Sequence, residues 1–425
     1  MKHGKHTLCG IIFAAAILAN TLLLAQTERP KPEKVHYYAK KMMPREWYAQ
    51  QAELWQIEAA KNSTDGEAWH NYYLAVEYAN RNMAAAERNA QLAKILDDLQ
   101  TAVLGEALPE LYEFLSAQKQ KSRLERVFFT ETGPTNLAKN LPGLYEFLIL
   151  KWRNSHDNIK LLEAAYQLDP EDPRTYYDLI VHYELNGEEA RSKEFCQQLY
   201  RSRDVAAGLL DYNYNVFMST EKNAILFTNG DNDTFPAWLL QRAKDIRPDV
   251  TVLNVHLIRN RDYLKKVLAA KKIKVDLTKL PDQDFFRFVP ELCKTLAAEN
   301  PAVPVYFALT VDKSYTHALA NNLYITGLAS RYSPQRLDNF ARLQEHVENN
   351  FRLDYLRYGW YHENQIENGS IKELNVNYVA SFIMLSEHYE KKGDTKRAGY
   401  WKQFAIDLGR AADDQALIDH IQSRK

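Results

Sequence analysis

A short string of letters occurs twice in this chain. His182-Tyr183-Glu184 with Gly187 just beyond it returns as His388-Tyr389-Glu390 with Gly393. Each copy closes an apolar pattern of helical spacing: Tyr176, Leu179 and Tyr183 in the first, Phe382, Leu385 and Tyr389 in the second. Glycine just past a helical run tolerates the left-handed conformation that ends a helix. Beyond each glycine, Glu188 to Tyr200 in the first copy and the stretch with Ala398 and Ala405 in the second read as an antiparallel partner helix. Such a helix pair cannot bury its apolar face alone, so neighbours must stack on it. The repeat therefore commits both ends of the chain to stacked helical hairpins, and a looser third copy lies at Trp69, Tyr72 and Tyr73. Fifteen glycines in 425 residues, about half the usual share, agree with a helix-rich chain.

The spacing of large residue, leucine, tyrosine and glycine, with Asp169, Pro170, Asp172 and Pro173 making the turn ahead, resembles a tetratricopeptide repeat. Cys196 stands where that pattern usually has a large apolar residue. The resemblance implies a groove that receives a protein or peptide partner, while the packing account is that these helices only buttress the middle of the chain. Twenty-six tyrosines fit packing in helical repeats better than binding.

The pattern changes in the middle. Ala224–Thr228, Val250–Val255 and Val303–Thr310 are short apolar β-prone runs, with Leu323–Leu328 as a fourth candidate, and helical patterns at Thr234–Asp245 and Tyr263–Lys272 separate them. Strands alternating with helices imply crossovers and a largely parallel sheet. The expected fold is mixed: α-helical tetratricopeptide-like segments flanking a small α/β domain. Its expected division is a signal peptide at 1–25, a linker at 26–45 around Pro30 and Pro32, a helical domain at 46–205, the α/β domain at 206–334 and a C-terminal helical domain at 335–425.

Lys2 and Lys5 precede an apolar run from Leu8 to Leu24, broken by Asn20 and Thr21, and Ala25 offers a small residue for cleavage. That is the form of a secretory signal, so export to a periplasm or cell envelope is expected, with membrane attachment only if the segment stays uncleaved. Cys196 and Cys293, the cysteines that would remain, read as buried thiols. With 54 basic and 55 acidic residues there is no basic excess to gather nucleic-acid phosphates.

Parallel sheets place ligands beyond the carboxyl ends of their strands. That rule selects Asn229, Asp231, Asn232, Asp233 and Thr234 after the first strand, Asn254 and His256 after the second, and Thr310 and Asp312 after the third. Gly230 is expected to permit a backbone turn closed to other residues, and Pro236 suits a first helical turn. Two accounts of Asp231 and Asp233 stand side by side. They cap the next helix, or they form a pair that takes a divalent cation or hydrogen-bonds sugar hydroxyls. Paired carboxylates repel phosphate, and the loop lacks the glycines of a nucleotide cradle, so a polyol or a cation fits better. His256 is either a structural group or an acid, base or ligand. The chain has no Gly-x-Ser-x-Gly elbow, Cys-x-x-Cys or P-loop, and His362-Glu363 lacks the second histidine of a zinc-protease helix because Ile366 stands there.

Ile225–Gln241 (ILFTNGDNDTFPAWLLQ), Ile246-Arg247-Pro248-Asp249-Val250, Pro304–Ala308, and Gly327-Leu328-Ala329 with Arg331 and Pro334 resemble the soluble C-terminal region of bacterial protein O-mannosyltransferase-like membrane glycosyltransferases. The likeness runs from about Leu210 to the C-terminus. It implies an envelope-facing α/β-plus-repeat module and a glycan-related task, with Arg331 joining the candidate ligand-binding residues. It implies no glycosyl transfer, because those relatives carry a catalytic membrane domain where this chain has a signal segment and helices. The expected function is an exported binding or scaffold protein with a protein partner and a glycan as ligand. The alternative is a metal-assisted enzyme acting on a carbohydrate through Asp231 and Asp233.

Overall fold

The computed structural model describes residues 30–106, 129–130, 133–134, 141–155, 158–281, 284–357 and 369–424. The signal segment at 1–25, with Cys9, and the His362-Glu363 motif lie outside the described residues. Among the described residues no helix is long and apolar enough to cross a membrane.

The amino-terminal arm is helical. Its elements are α1 (Arg45–Lys61), α2 (Gly66–Ala79), α3 (Ala85–Gln100), α4 (Leu144–Ser155), α5 (Ile159–Leu168), α6 (Tyr176–Asn186) and α7 (Glu189–Ser202). Consecutive members pack as hairpins, α1 on α2, α4 on α5 and α6 on α7. The C-terminal arm repeats the arrangement, and both copies of the twin motif close their helix in the same way. Gly187 and Gly393 have φ of 75° and 78°. The next N–H, of Glu188 or Asp394, reaches back to the carbonyl of Tyr183 or Tyr389 at 2.8 and 2.9 Å. The two tyrosines are also held alike. Tyr183 donates to Glu163 and accepts from Arg191, and Tyr389 donates to Glu348 and accepts from Arg397.

Between the arms lies a five-stranded sheet in the order β2-β1-β3-β5-β4, with β1 (Ile225–Thr228), β2 (Thr251–Asn254), β3 (Val305–Ala308), β4 (Leu323–Ile325) and β5 (Ala329–Tyr332). Strands β2, β1 and β3 are parallel, in register Thr228↔Asn254 and Ile225↔Val305. All three are buried along their whole length, as parallel strands covered on both faces are. Helix α8 (Ala207–Met218) leads into β1, α9 (Asp231–Lys244) crosses from β1 to β2, and α10 (Arg261–Ala270) and α11 (Phe285–Glu299) lie between β2 and β3. The run Leu323–Leu328, expected as one strand, is the first half of a hairpin. Gly327, at φ 141°, lets the chain reverse, and β5 returns antiparallel to both β3 and β4.

The first arm is bolted to the α/β unit through Glu184. Its carboxylate receives Arg242 of α9 at 2.5 Å and the Tyr263 hydroxyl of α10 at 3.2 Å. In the second attachment, α12 (Tyr378–Lys391), which packs on α13 (Thr395–Ala411), meets α8 where Asn215 donates to Tyr378 at 2.7 Å and to the Arg352 carbonyl at 2.8 Å. Cys196 and Cys293 are buried and unbridged, and burial pushes the Cys196 thiol up to about 11.

The segment read as a linker packs tightly from Glu33 onward. Val35, Tyr37 and Ala39 are buried while His36, Tyr38 and Lys40 are only half-buried, the alternation of an extended chain laid against a surface. The Val35 N–H donates to Asn71 of α2 at 2.6 Å, the Tyr37 hydroxyl to the Arg174 carbonyl at 3.3 Å, and the Ala206 N–H to the Ala39 carbonyl at 3.1 Å. This strap carries Tyr37 and Tyr38 to the junction of the arm and the sheet.

Candidate functional site

Because β1, β2 and β3 are parallel, their carboxyl ends share one rim, and side chains far apart in the sequence meet there. Asp233 is the hub. It accepts the N–H groups of Asn229 and Gly230 at 2.7 and 2.8 Å and the Thr310 hydroxyl at 2.5 Å, tying the tip of β1 to that of β3. Thr234 links the other pair of strands, lying 2.9 Å from the Thr228 hydroxyl and accepting from Asn254 at 2.8 Å. Asn254 in turn accepts the His256 N–H at 2.8 Å, and the Asp312 N–H donates to Asn229 at 3.3 Å. Burial pushes the Asp233 carboxyl upward against these donors.

This network is internally satisfied, so it braces the rim and leaves little for a ligand. Asp233 performs the capping role. Asp312 caps a short helix by accepting the Ser314 N–H, and hydrogen bonding from the Ser314 side chain, with that backbone bond behind it, holds its carboxyl below the usual range. His256 meets the Tyr315 ring edge-on at 6.1 Å. Gly230 has φ −153°, extended backbone that any residue adopts, so the expected turn specific to glycine is absent. Pro236 sits inside α9 rather than in its first turn. The Asn232 carbonyl that its missing N–H would have served accepts Asn213 at 2.9 Å instead. Arg331 lies off the rim, opposite Tyr306 in the sheet register, and pairs with Glu221 at 2.5 Å.

Asp231 parts company with Asp233. Its carboxylate makes no hydrogen bond or ion pair among the described residues and faces a cavity of about 320 Å³ between α9 and the amino-terminal arm. Asp233 does not line that cavity, so the two carboxylates that the sequence paired do not face it together. Among the described residues no group of three or more His, Cys, Asp or Glu side chains is arranged to hold a metal ion.

The other walls of the cavity come from positions that the strand-end rule did not select. Arg153 of α4 lies between Glu77 of α2 and Asp178 of α6, at 3.3 and 3.2 Å, with its guanidinium 4.9 Å from the centre of the Tyr37 ring. Tyr38 stacks on Tyr78, ring centres 4.1 Å apart. Asp231 is open to solvent on the cavity side, yet the surrounding protein raises its carboxyl to about 6. Burial is the main cause. Arg153 opposes it, and the carboxylates of Asp178, Asp233 and Glu77 add to it. The only signals in the letters were the doubled tyrosine Tyr37-Tyr38 and the acid in Tyr176-Tyr177-Asp178, and neither marks a cavity without the fold.

Fold and cavity together define a helical-repeat-like protein with an α/β unit set between its arms. Residues 209–273 match the family described as TMEM260-associated domain 2, a stretch that runs from within α8 through β1, α9, β2 and α10 and carries Asp231. This similarity agrees with the glycosyltransferase-associated resemblance, which rests partly on the same residues. No curated protein matches the chain.

Proposed function

We propose that the chain is an exported binding protein whose ligand is a small hydroxyl-rich molecule of the glycan class, held in the cavity between the amino-terminal arm and the loop after β1. The observation that carries this reading is Asp231, an unpartnered carboxylate at a strand tip that faces a cavity walled by a second module. Carboxylate and guanidinium groups supply the acceptors and donors that sugar hydroxyls need, and tyrosine rings supply faces for the apolar side of a sugar. A cavity of about 320 Å³ lies at the small end of the range of ligand sites. The signal-type segment at the amino terminus supports export, and the similarity at 209–273 supports a glycan-related task. The helical arms give such a protein surface for a protein partner.

Calorimetric titration of the purified chain against a panel of mono- and disaccharides tests the reading. A member of the panel should bind, and Asp231→Ala should weaken it at least about tenfold, the loss of a charge-assisted hydrogen bond, without lowering the melting temperature. No binding across the panel, or equal binding by Asp231→Ala, would overturn it.

A further inference from the structure

The mouth of the cavity carries a charge pattern that its interior does not. Inside, Arg153 is matched by Glu77 and Asp178. At the mouth stand Arg81 and Arg88, and Arg45 lines an adjoining hollow that shares Tyr38, Tyr78 and Arg81 with the cavity and whose one carboxylate, Glu373, forms no ion pair with either arginine. None of these three arginines has a carboxylate partner among the described residues. Their ties are of another kind. Arg88 donates to the Arg81 carbonyl at 3.1 Å, Arg45 donates to the Ala79 carbonyl at 2.8 Å, and the Arg81 guanidinium lies 5.9 Å from the centre of the Tyr38 ring.

Carbonyl and ring contacts position a guanidinium without neutralising it, and each of these carbonyl bonds uses one of five N–H donors. Exposed arginines elsewhere are of both kinds: Arg352, Arg410 and Arg424 lie within 3.5, 3.0 and 3.1 Å of a carboxylate, while Arg201, Arg203, Arg287 and Arg336 have none among the described residues but line neither this cavity nor its adjoining hollow. The three at the mouth come from separate places, the start of α1, the turn after α2 and the start of α3. They gather around one stacked pair of tyrosines.

Resting on the saccharide reading of this cavity, we infer that the ligand is an anionic saccharide. Its acidic group sits among Arg45, Arg81 and Arg88, its ring lies against Tyr38, and its hydroxyls reach inward to Asp231 and Glu77. A neutral sugar would leave the guanidiniums uncompensated. An anion without hydroxyls would leave Asp231 unmatched. Separating the arginine mouth from the acidic interior also answers the repulsion that paired carboxylates raise against an anion.

The test titrates the full chain, at low salt, with one disaccharide in neutral, uronic acid and phosphorylated forms, and with a single-stranded DNA oligonucleotide as a polyanion lacking that ring. An anionic form should bind at least about tenfold more tightly than the neutral one, about 1.4 kcal/mol. The preference should shrink as salt rises and vanish in the Arg81→Gln/Arg88→Gln variant, whose melting temperature should hold. The tighter of the uronic acid and phosphate arms then names the acidic group. Equal affinity for neutral and anionic forms, a preference that survives in the double variant, or equal binding of the oligonucleotide would overturn the inference while leaving saccharide binding intact. Failure of every form to bind would remove both readings.

Discussion

The Thr310 hydroxyl donates to Asp233 at 2.5 Å, joining the loop after β3 to the loop after β1. The same carboxylate takes two backbone N–H groups of its own loop. A single buried acid thus closes a turn, caps α9 and fixes the spacing of two parallel strand tips, which sets where Asp231 enters the cavity.

Asp233→Ala should cost on the order of 3 kcal/mol, because it leaves two part-buried backbone donors without their acceptor and loses three bonds, one of them to a hydroxyl. Thr310→Val removes only the cross-strand bond and should cost about 1 kcal/mol. Urea titrations of both variants measure the difference, and near-equal midpoints would show that the cap contributes little.

Asp231 predicts a pH dependence of definite sign. Its carboxyl in the folded chain is raised to about 6 from an ordinary 3.8, so the folded state holds its proton where the unfolded state has released it. Stability from this group is therefore present at low pH and lost as pH rises through that window. Relative to Asp231→Asn, the wild type should lose on the order of 1 kcal/mol between about pH 4 and 6, a figure kept small because solvent reaches the group from the cavity. Melting temperatures of the two proteins from pH 4 to 8 check it. Curves that stay parallel would mean the carboxyl titrates as an exposed acid.

The sheet core was legible because three short apolar runs separated by helical periods leave few alternatives to parallel crossovers, and parallel order puts their polar ends on one rim. Three features stayed hidden for different reasons. Strand β5 reads Ala-Ser-Arg-Tyr, half polar, because Arg331 points its charge to Glu221, so no apolar run announced it. The cavity was invisible because only Asp231 belongs to the strand tips. Arg153, Glu77 and Asp178 sit on three different helices, brought together by hairpin stacking that periodicity implies without fixing side-chain neighbours. The strap was missed because Pro30, Pro32 and four lysines between Lys31 and Lys41 look like solvated linker, although Val35, Tyr37 and Ala39 already alternate.

The strap makes its own prediction. Asn71 accepts the Val35 N–H at 2.6 Å and donates to the Glu67 carbonyl at 2.7 Å in a site closed to water. Asn71→Ala should cost about 1–3 kcal/mol by leaving that N–H unsatisfied. Hydrogen exchange at Val35 and Tyr37 should quicken well before exchange in α2 does. Unchanged exchange at Val35 would mean that side-chain burial alone holds the strap.

Gly327 offers the sharpest contrast between two glycines with positive φ. It turns the chain between β4 and β5 at φ 141°, where a Cβ would meet the Ser219 hydroxyl at 2.5 Å and the Phe351 ring at 2.7 Å. Ser219 cannot retreat cheaply, because its hydroxyl accepts the Leu328 N–H at 2.8 Å and donates to the Asn215 carbonyl at 2.7 Å. The Gly327 carbonyl also accepts Ser381 of α12, so a shift of the turn would loosen the C-terminal arm. Gly393 has a φ of 78° with open space around it. Gly327→Ala should therefore lower stability by roughly 3 kcal/mol through strain and overpacking together, and Gly393→Ala by about 1 kcal/mol through strain alone. Denaturant midpoints of the two variants decide it. Equal losses would mean that the packing around Ser219 yields, and that backbone conformation sets the cost at both turns.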